Sequence, residues 1–428
     1  MLVSCLPAVL AAVSALWSPL CLIPEPRDVQ VQPGRFGFEP RTRILLGSTD
    51  SSDDRFAAEQ LADETRREWG LRPAADSLRT GHPAAGCVLL LRPTASEAAH
   101  AFCEHADALP DPALGDEGYL LRVDRDRVLV AANAEAGLFY GVQTLKQLIR
   151  ANSEGRAIPC VRIRDYPGMR YRGILDDITR GPTPTLDFLK REVRTLAEFK
   201  MNLWTPYIEH QFEFRRHPLI APEGGSLTAQ EVRELTAYAR RYHVEIVGCL
   251  QSFAHFANIL KHPQYAHLGE TDGGWILRPV SEDSYRLLGD LYSEITPAFE
   301  SPLFNVCCDE TQGLGEGKSK ALLEAFGIEW LYATHINRIH DMLARRGKRM
   351  MMWADIALSH PGILDRIPRD TVMLSWGYHA AETFEPAIVP IAQRGFAFMV
   401  CPGVNCWGRM FPDIDTSLVN IAHYARDG

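Results

Sequence analysis

Residues 304–320 read FNVCCDETQGLGEGKSK: a short apolar run stops on two adjacent acids, Asp309 and Glu310, and a glycine-rich loop follows. Two carboxyl groups at the lip of a buried strand suit chemistry in which one group donates a proton and the other steers or stabilises the reacting centre. Successive side chains of a strand point to opposite faces, so the two acids are expected to differ in depth and not to flank a substrate.

A set of repeated elements must hold that pair in place. From the segment DYPG at 165–168 onward, short apolar strands alternate with helical patterns. The strands are YRGILDDI, KMNLWTPYI, VEIVGCLQS, LFNVCCDE, RMMMWADI, TVMLSWGY and FAFMVCPG, and between them lie helical stretches such as PTLDFLKREVRTLAEF, TAQEVRELTAYARRY and IEWLYATHINRIHDMLARRG. This rhythm predicts an α/β fold with a parallel sheet, closed as a (β/α)8-type TIM barrel over 166–428. Seven strands are legible where such a barrel uses eight, and the chain stops at ARDG after the seventh helix, so the expectation is a barrel truncated after its seventh βα unit.

Ahead of it, 26–165 reads as a small α+β domain. Its strands are TRILLGS and GCVLLLRP, with a hairpin GYLLRVDRDRVLVAA turning at Asp124 to Asp126, and its helices run over Asp54 to Trp69 and Glu135 to Ile149.

Function in barrels of this kind sits at the carboxyl ends of the strands. Those ends carry Arg172, Asp177 and Arg180, then Glu209 and His210, His255, Asp309 and Glu310, Trp353 and Asp355, Trp376 and Tyr378, and Trp407. Acids, arginines and indoles around one mouth describe a sugar pocket, flat rings covering a pyranose face while charged groups hydrogen-bond its hydroxyls. For Arg172 and Asp177 an internal salt bridge stays open beside substrate contact. His255 is either part of the acidic network or a satisfied loop histidine, and each tryptophan is either platform or core. Glycosidic bonds are usually cleaved with two carboxyl groups on opposite sides of the anomeric carbon, which adjacent residues fit badly. One acid can then donate the proton while the other steers a nucleophile supplied from elsewhere, for which the carbonyl oxygen of a substrate N-acetyl group would serve.

In this order the motifs resemble glycoside hydrolase family 20, the β-N-acetylhexosaminidases. FNVCCDET resembles the aspartate-glutamate signature of that family's fourth strand, YRGILDDITRG its Arg-Gly first strand and KMNLW the start of its second; the α+β segment is similar to its accessory domain. The resemblance implies an exo-acting, retaining enzyme that removes terminal β-linked N-acetylhexosamine through an oxazolinium intermediate. It further implies Glu310 as general acid and then base, Asp309 as the acetamide-orienting group, and Arg172 gripping sugar hydroxyls. His255 would support the acids, Trp353 and Trp376 would wall the acetamide pocket, and Asp177, Glu209, Tyr378 and Trp407 complete the substrate-binding set. Cys307-Cys308 stands where many members have glycines, Asn305 where they have histidine, and CPGVNCW where some carry a tyrosine and an aspartate.

The remaining features narrow the classes. The 428 residues carry a net charge of −9 without a basic block, which gives no footprint for nucleic acid. No segment after the N-terminus is long and apolar enough for a membrane span. Residues 1–25 read as a signal peptide with an uncharged core from Leu6 to Trp17, so a secreted or periplasmic location is expected. The cysteines, none in CxxC spacing, read as small buried residues that leave an isolated bridge open. No cofactor is expected, and no metal, since HExxH is absent and His335 and His340 stand five apart on a helix. Two rival readings remain: a catalytically silent carbohydrate-binding barrel, and a nucleotide binder built on Gly317-Lys318-Ser319 as the end of a P-loop, although Gln312 stands where that motif wants glycine.

Overall fold

The computed structural model describes residues 20–79, 83–152, 154–404 and 406–428. The signal-peptide reading of 1–25 therefore falls mostly outside the described residues. The chain divides into two units, the first comprising Met1–Gly173, Arg191–Asn202 and Ala239–Val244, the second Ile174–Lys190, Leu203–Tyr238 and Glu245–Gly428.

The first unit is built on a seven-stranded sheet in which β1 (Asp28–Gly37), β2 (Arg43–Leu46), β3 (Ala74–Ser77), β4 (Cys87–Leu91), β5 (Tyr119–Val123), β6 (Arg127–Ala132) and β7 (Ala157–Asp165) lie in the order β1-β7-β5-β6-β4-β2-β3. The expected hairpin is β5–β6, antiparallel, with Val123 opposite Val128 around the acidic turn. The sheet packs with α1 (Ser52–Trp69) and α2 (Glu135–Ala151). Helix α1 starts where Ser51 accepts the Asp54 N–H and stops at Gly70, which takes the left-handed conformation a C-terminal cap requires (φ 72°). β1 escapes a sequence reading because Pro33 and Gly34 interrupt it. They form a bulge between Gln32 and Arg35, with Gly34 at φ 117°.

The second unit holds the seven predicted strands in sequence order. β8 (Gly173–Asp177) and β9 (Leu203–Tyr207) join β10 (Glu245–Ile246) in one sheet; β11 (Gly248–Cys249), β12 (Leu303–Asn305), β13 (Arg349–Trp353), β14 (Val372–Gly377) and β15 (Ala397–Pro402) form the other. β10 and β11 are one strand interrupted at Val247: the Val247 N–H still donates to Trp204 O (2.9 Å) on one side and the Leu250 N–H to Asn305 O (3.0 Å) on the other. Gly248 is required there, because a Cβ would sit 2.7 Å from the Phe304 ring and 2.8 Å from that of Phe299. The pairings β9–β10, β11–β12, β12–β13, β13–β14 and β14–β15 are all parallel.

The connecting helices α3 (Leu186–Glu198), α4 (Ala229–Arg241) and α5 (Ile328–Ala344) fall where the 3.6-residue period puts them. At the start of α4, the Thr228 hydroxyl accepts the Glu231 N–H (3.1 Å) while the Glu231 carboxylate accepts the Thr228 N–H (2.9 Å), a reciprocal cap. No helix among the described residues is long and apolar enough to cross a membrane.

Candidate active site

Past β12 the backbone leaves the pleat. Cys307 (φ 61°), Cys308 (φ 66°) and Glu310 (φ 50°) are all left-handed, as is His255 (φ 60°). Each such non-glycine residue costs on the order of 1–3 kcal/mol and persists only where its surroundings over-determine it. Here four groups do so. Asn305 Oδ1 accepts the Cys307 N–H (2.9 Å), the Tyr332 hydroxyl donates to Cys308 O (2.6 Å), Asp355 Oδ2 accepts the Glu310 N–H (3.0 Å), and Trp275 Nε1 donates to Glu310 O (2.9 Å).

This bend corrects the expectation that Asp309 and Glu310 alternate across a strand. Both carboxylates converge on one imidazole, each 3.4 Å from His255 Nε2. They still differ in depth, the Asp309 side chain being 14 % exposed and that of Glu310 42 %.

Charges alternate behind the pair. Asp177, at the end of β8, accepts the backbone N–H groups of Thr179 (2.9 Å) and Arg180 (3.2 Å), and takes Arg180 Nη1 at 2.6 Å. Arg180 Nη2 reaches Glu209 Oε1 at 2.9 Å, and Glu209 lies 3.5 Å from His255 Nδ1. Burial disfavours the His255 imidazolium, but the Asp309 and Glu310 carboxylates at one nitrogen and Glu209 at the other outweigh it, raising its pKa to about 9. Burial pushes the Glu209 carboxyl up as well, against the pull of Arg180. Burial also lifts Asp355 to about 6, opposed by the Glu310 N–H.

Gln251 fixes the deeper acid. Its Nε2 donates to Asp309 Oδ1 (2.8 Å) and to the Tyr207 hydroxyl (2.9 Å), and Tyr207 in turn donates to Glu209 (3.0 Å). An aromatic run extends from this cluster: the Tyr378 ring centroid lies 4.9 Å from that of Trp376 and 4.4 Å from that of Trp407. Burial, with the charges of Asp309 and Glu310 added, pushes the Tyr378 phenol up to about 12, so this ring feels the acid pair. Trp353 is buried at the end of β13, and Trp376 is half-buried, its side chain helping to hold the Asp355 carboxyl down against burial.

Arg172 behaves differently. It belongs to the first unit, where Nη1 donates to Glu117 (2.9 Å) and Met169 O (2.8 Å), Nε to Lys200 O (2.9 Å) and Nη2 to Glu117 (3.3 Å). Of the two readings open for it, this geometry matches the internal ion pair.

Two family models match the chain: glycosyl hydrolase family 20, domain 2, over residues 20–166, and glycosyl hydrolase family 20, catalytic domain, over residues 169–407. The chain belongs to glycosyl hydrolase family 20. It is similar to a beta-hexosaminidase of Vibrio furnissii, 24 % identical over 426 residues and covering 90 % of this chain and 63 % of that protein. The mouse beta-hexosaminidase subunit alpha is also 24 % identical, covering 65 % of this chain and 56 % of the subunit. Among solved structures, an exo beta-N-acetylglucosaminidase of family 20 from Vibrio harveyi in complex with N-acetylglucosamine superposes with TM-score 0.71 at 20 % identity, covering 90 % of this chain and 60 % of that one. The beta-N-acetylhexosaminidase of Streptomyces coelicolor A3(2) gives 0.70 at 22 %, covering 90 % and 76 %. At these identities the structural likeness is one of fold. The chain spans 63 % and 36 % of the length of the Vibrio furnissii and Porphyromonas gingivalis relatives.

The glycine-rich loop that follows the acid pair is not a phosphate cradle. The Glu270 carboxylate already occupies its donors, accepting the N–H groups of Gly317 (3.3 Å) and Ser319 (2.8 Å) and the Ser319 hydroxyl (2.8 Å), while Lys318 Nζ donates to the carbonyls of His267 (3.0 Å) and Gly269 (2.8 Å). His255, Asp309 and Glu310 bring ligand-type atoms within 4.8 Å of one another, the group of that kind found among the described residues. His335 is buried against Phe253 and bonded to Ser252 O (2.9 Å), away from any ligand role.

Tyr207 and Gln251 stand near the ends of the segments KMNLWTPYI and VEIVGCLQS and could be found by reading every polar residue there, while Trp275 comes from a loop with no periodicity.

Two outcomes follow from this geometry. His255, with its folded pKa raised to about 9 above an unfolded value near 6.5, contributes stability that is fully present below pH 6.5 and lost as pH rises through 9. Urea unfolding of wild type and His255→Asn should therefore show a stability difference that is largest at pH 6 and shrinks by pH 9.5. Gln251→Glu sets a second carboxyl against Asp309; sharing one proton preserves the donor, but loss of that raised-pKa proton removes it. The variant should acquire a new alkaline limb in kcat/KM near pH 6–7, roughly two units above an ordinary carboxyl, that wild type lacks.

Proposed function

We propose that the protein is an exo-acting β-N-acetylhexosaminidase that cleaves terminal β-linked N-acetylhexosamine from glycans by a retaining, substrate-assisted route. The observation that carries this reading is the convergence of Asp309 and Glu310 on His255, one acid deep and fixed, the other half-exposed. That arrangement supplies a proton donor and a charge-steadying group beside one another, not on two sides of a sugar, which favours a nucleophile that comes from the substrate.

In the first step the acetamide oxygen attacks the anomeric carbon while Glu310 protonates the departing oxygen. Asp309, held by Gln251 and faced by His255, accepts the acetamide N–H and steadies the positive charge of the oxazolinium. In the second step Glu310, now a carboxylate, takes a proton from water as it opens the oxazolinium from the vacated side, which gives net retention. Arg180, half-exposed and braced by Asp177 and Glu209, takes the hydroxyl-gripping role that the family resemblance implied for Arg172. Trp376, Tyr378 and Trp407 offer ring faces to the sugar, and Trp275, 38 % exposed with its ring 4.3 Å from that of His255, offers one to the leaving group. The parallel pairings among β9 to β15 support a (β/α)8-type barrel.

The test compares hydrolysis of a chromogenic β-N-acetylglucosaminide with that of the β-glucoside lacking the acetamide. Only the first should be cleaved; equal cleavage of both would exclude substrate assistance, and binding of N-acetylglucosamine without turnover of either would turn the reading to a carbohydrate-binding barrel. The leader read in residues 1–25 carries a secreted or periplasmic location, which N-terminal sequencing of the mature protein tests.

A further inference from the structure

The second unit contains a thiol pair for which the chemistry above has no use. Cys249 ends β11 and Cys307 opens the left-handed bend after β12, and their Sγ atoms are 3.3 Å apart. Both residues are fully buried. The parallel register sets Cys249 beside Asn305, two residues before Cys307 at the start of the bend. Cys308 is no rival for the contact, since its thiol is directed to Val306 O at 3.3 Å.

We propose that Cys249 and Cys307 form a disulfide that joins the third strand position to the bend carrying the acid pair. A disulfide needs its sulfurs at about 2.05 Å, so the gap left between the two Sγ atoms is little more than 1 Å. The two thiols and a small-molecule disulfide such as oxidised glutathione give one protein disulfide and two small thiols, the two electrons and two protons passing to the reagent. Burial shields both sulfurs in the finished fold, which places the exchange during folding, before the strands close over them.

The location gives the bond a consequence for the acids. Cys249 and Cys307 are 58 positions apart, and so are Gln251 and Asp309, whose side chains are hydrogen-bonded at 2.8 Å. The disulfide and the Gln251–Asp309 contact are successive rungs between the same two segments, so the covalent rung fixes the register on which the polar one depends.

The experiment refolds the full chain in oxidised glutathione or in dithiothreitol, then maps peptides without reduction and counts thiols under denaturing conditions. Oxidative refolding should yield a linked peptide pair containing Cys249 and Cys307, two fewer thiols than the ten cysteines of the sequence, and an unfolding midpoint on the order of 10 °C above that of the reduced form. Cys308→Gly should keep the linked pair. Cys307→Gly, a residue that adopts φ 61° without strain, should lose it, as should Cys249→Ala. Ten free thiols after oxidative refolding, or a linkage through Cys308 instead, would overturn the proposal.

Discussion

Glu310→Gln is expected to lower kcat by about 10³-fold on substrates whose leaving group is a sugar hydroxyl, within the 10²–10⁴ range general acids contribute. Glutamine matches glutamate in size and retains a carbonyl oxygen, so the grip of Asp355 on the residue-310 N–H and of Trp275 on its C=O is undisturbed. What disappears is the transferable proton. An aryl leaving group of low pKa departs without one, so the loss should shrink steadily along a series of increasingly acidic phenols. Rates measured across such a series decide the matter: an equal loss at every leaving group would mean that Glu310 acts in some way other than as the acid.

Asp309→Asn should cost about 10²–10³-fold in kcat, comparable to removing one preorganised electrostatic partner from a transition state. An asparagine oxygen still accepts from Gln251, so the side chain stays in place. The charge facing the oxazolinium is gone, and one of the two carboxylates that hold the His255 proton is gone with it. Unlike the Glu310 variant, this one should lose the same factor on good and poor leaving groups, because the acetamide attacks in both cases. A leaving-group-dependent loss would reassign Asp309 to proton transfer.

The fold was legible where periodicity is strong. All seven strands of the second unit, the β5–β6 hairpin and the helices α1 to α5 follow from alternation and the helical repeat. β1 was hidden by its own bulge, and β12 is only three residues long, its ladder carried onward by single backbone bonds that no pattern announces. The acid pair was legible as chemistry but not as geometry: nothing about two cysteines predicts a left-handed turn, a conformation that favours glycine. The two arginines are more instructive. Arg172 and Arg180 flank β8, a strand of five residues, and only the second lies past its carboxyl end. The strand-end reading held both, and the resemblance implied the sugar-gripping role for Arg172; the Glu117 carboxylate that engages Arg172 stands 55 positions away, where no strand-end rule looks.

The grips on the bend at Cys307–Glu310 come from elements scattered along the chain: Trp275 from the loop before Glu282–Ile295, Tyr332 from α5, Asp355 from just after β13. None of them is a sequence neighbour of the acids, so a peptide bearing FNVCCDET has the reagents but no reason to bend. Competence for the reaction therefore requires every one of these elements to be docked, so turnover is expected to serve as a readout of complete assembly.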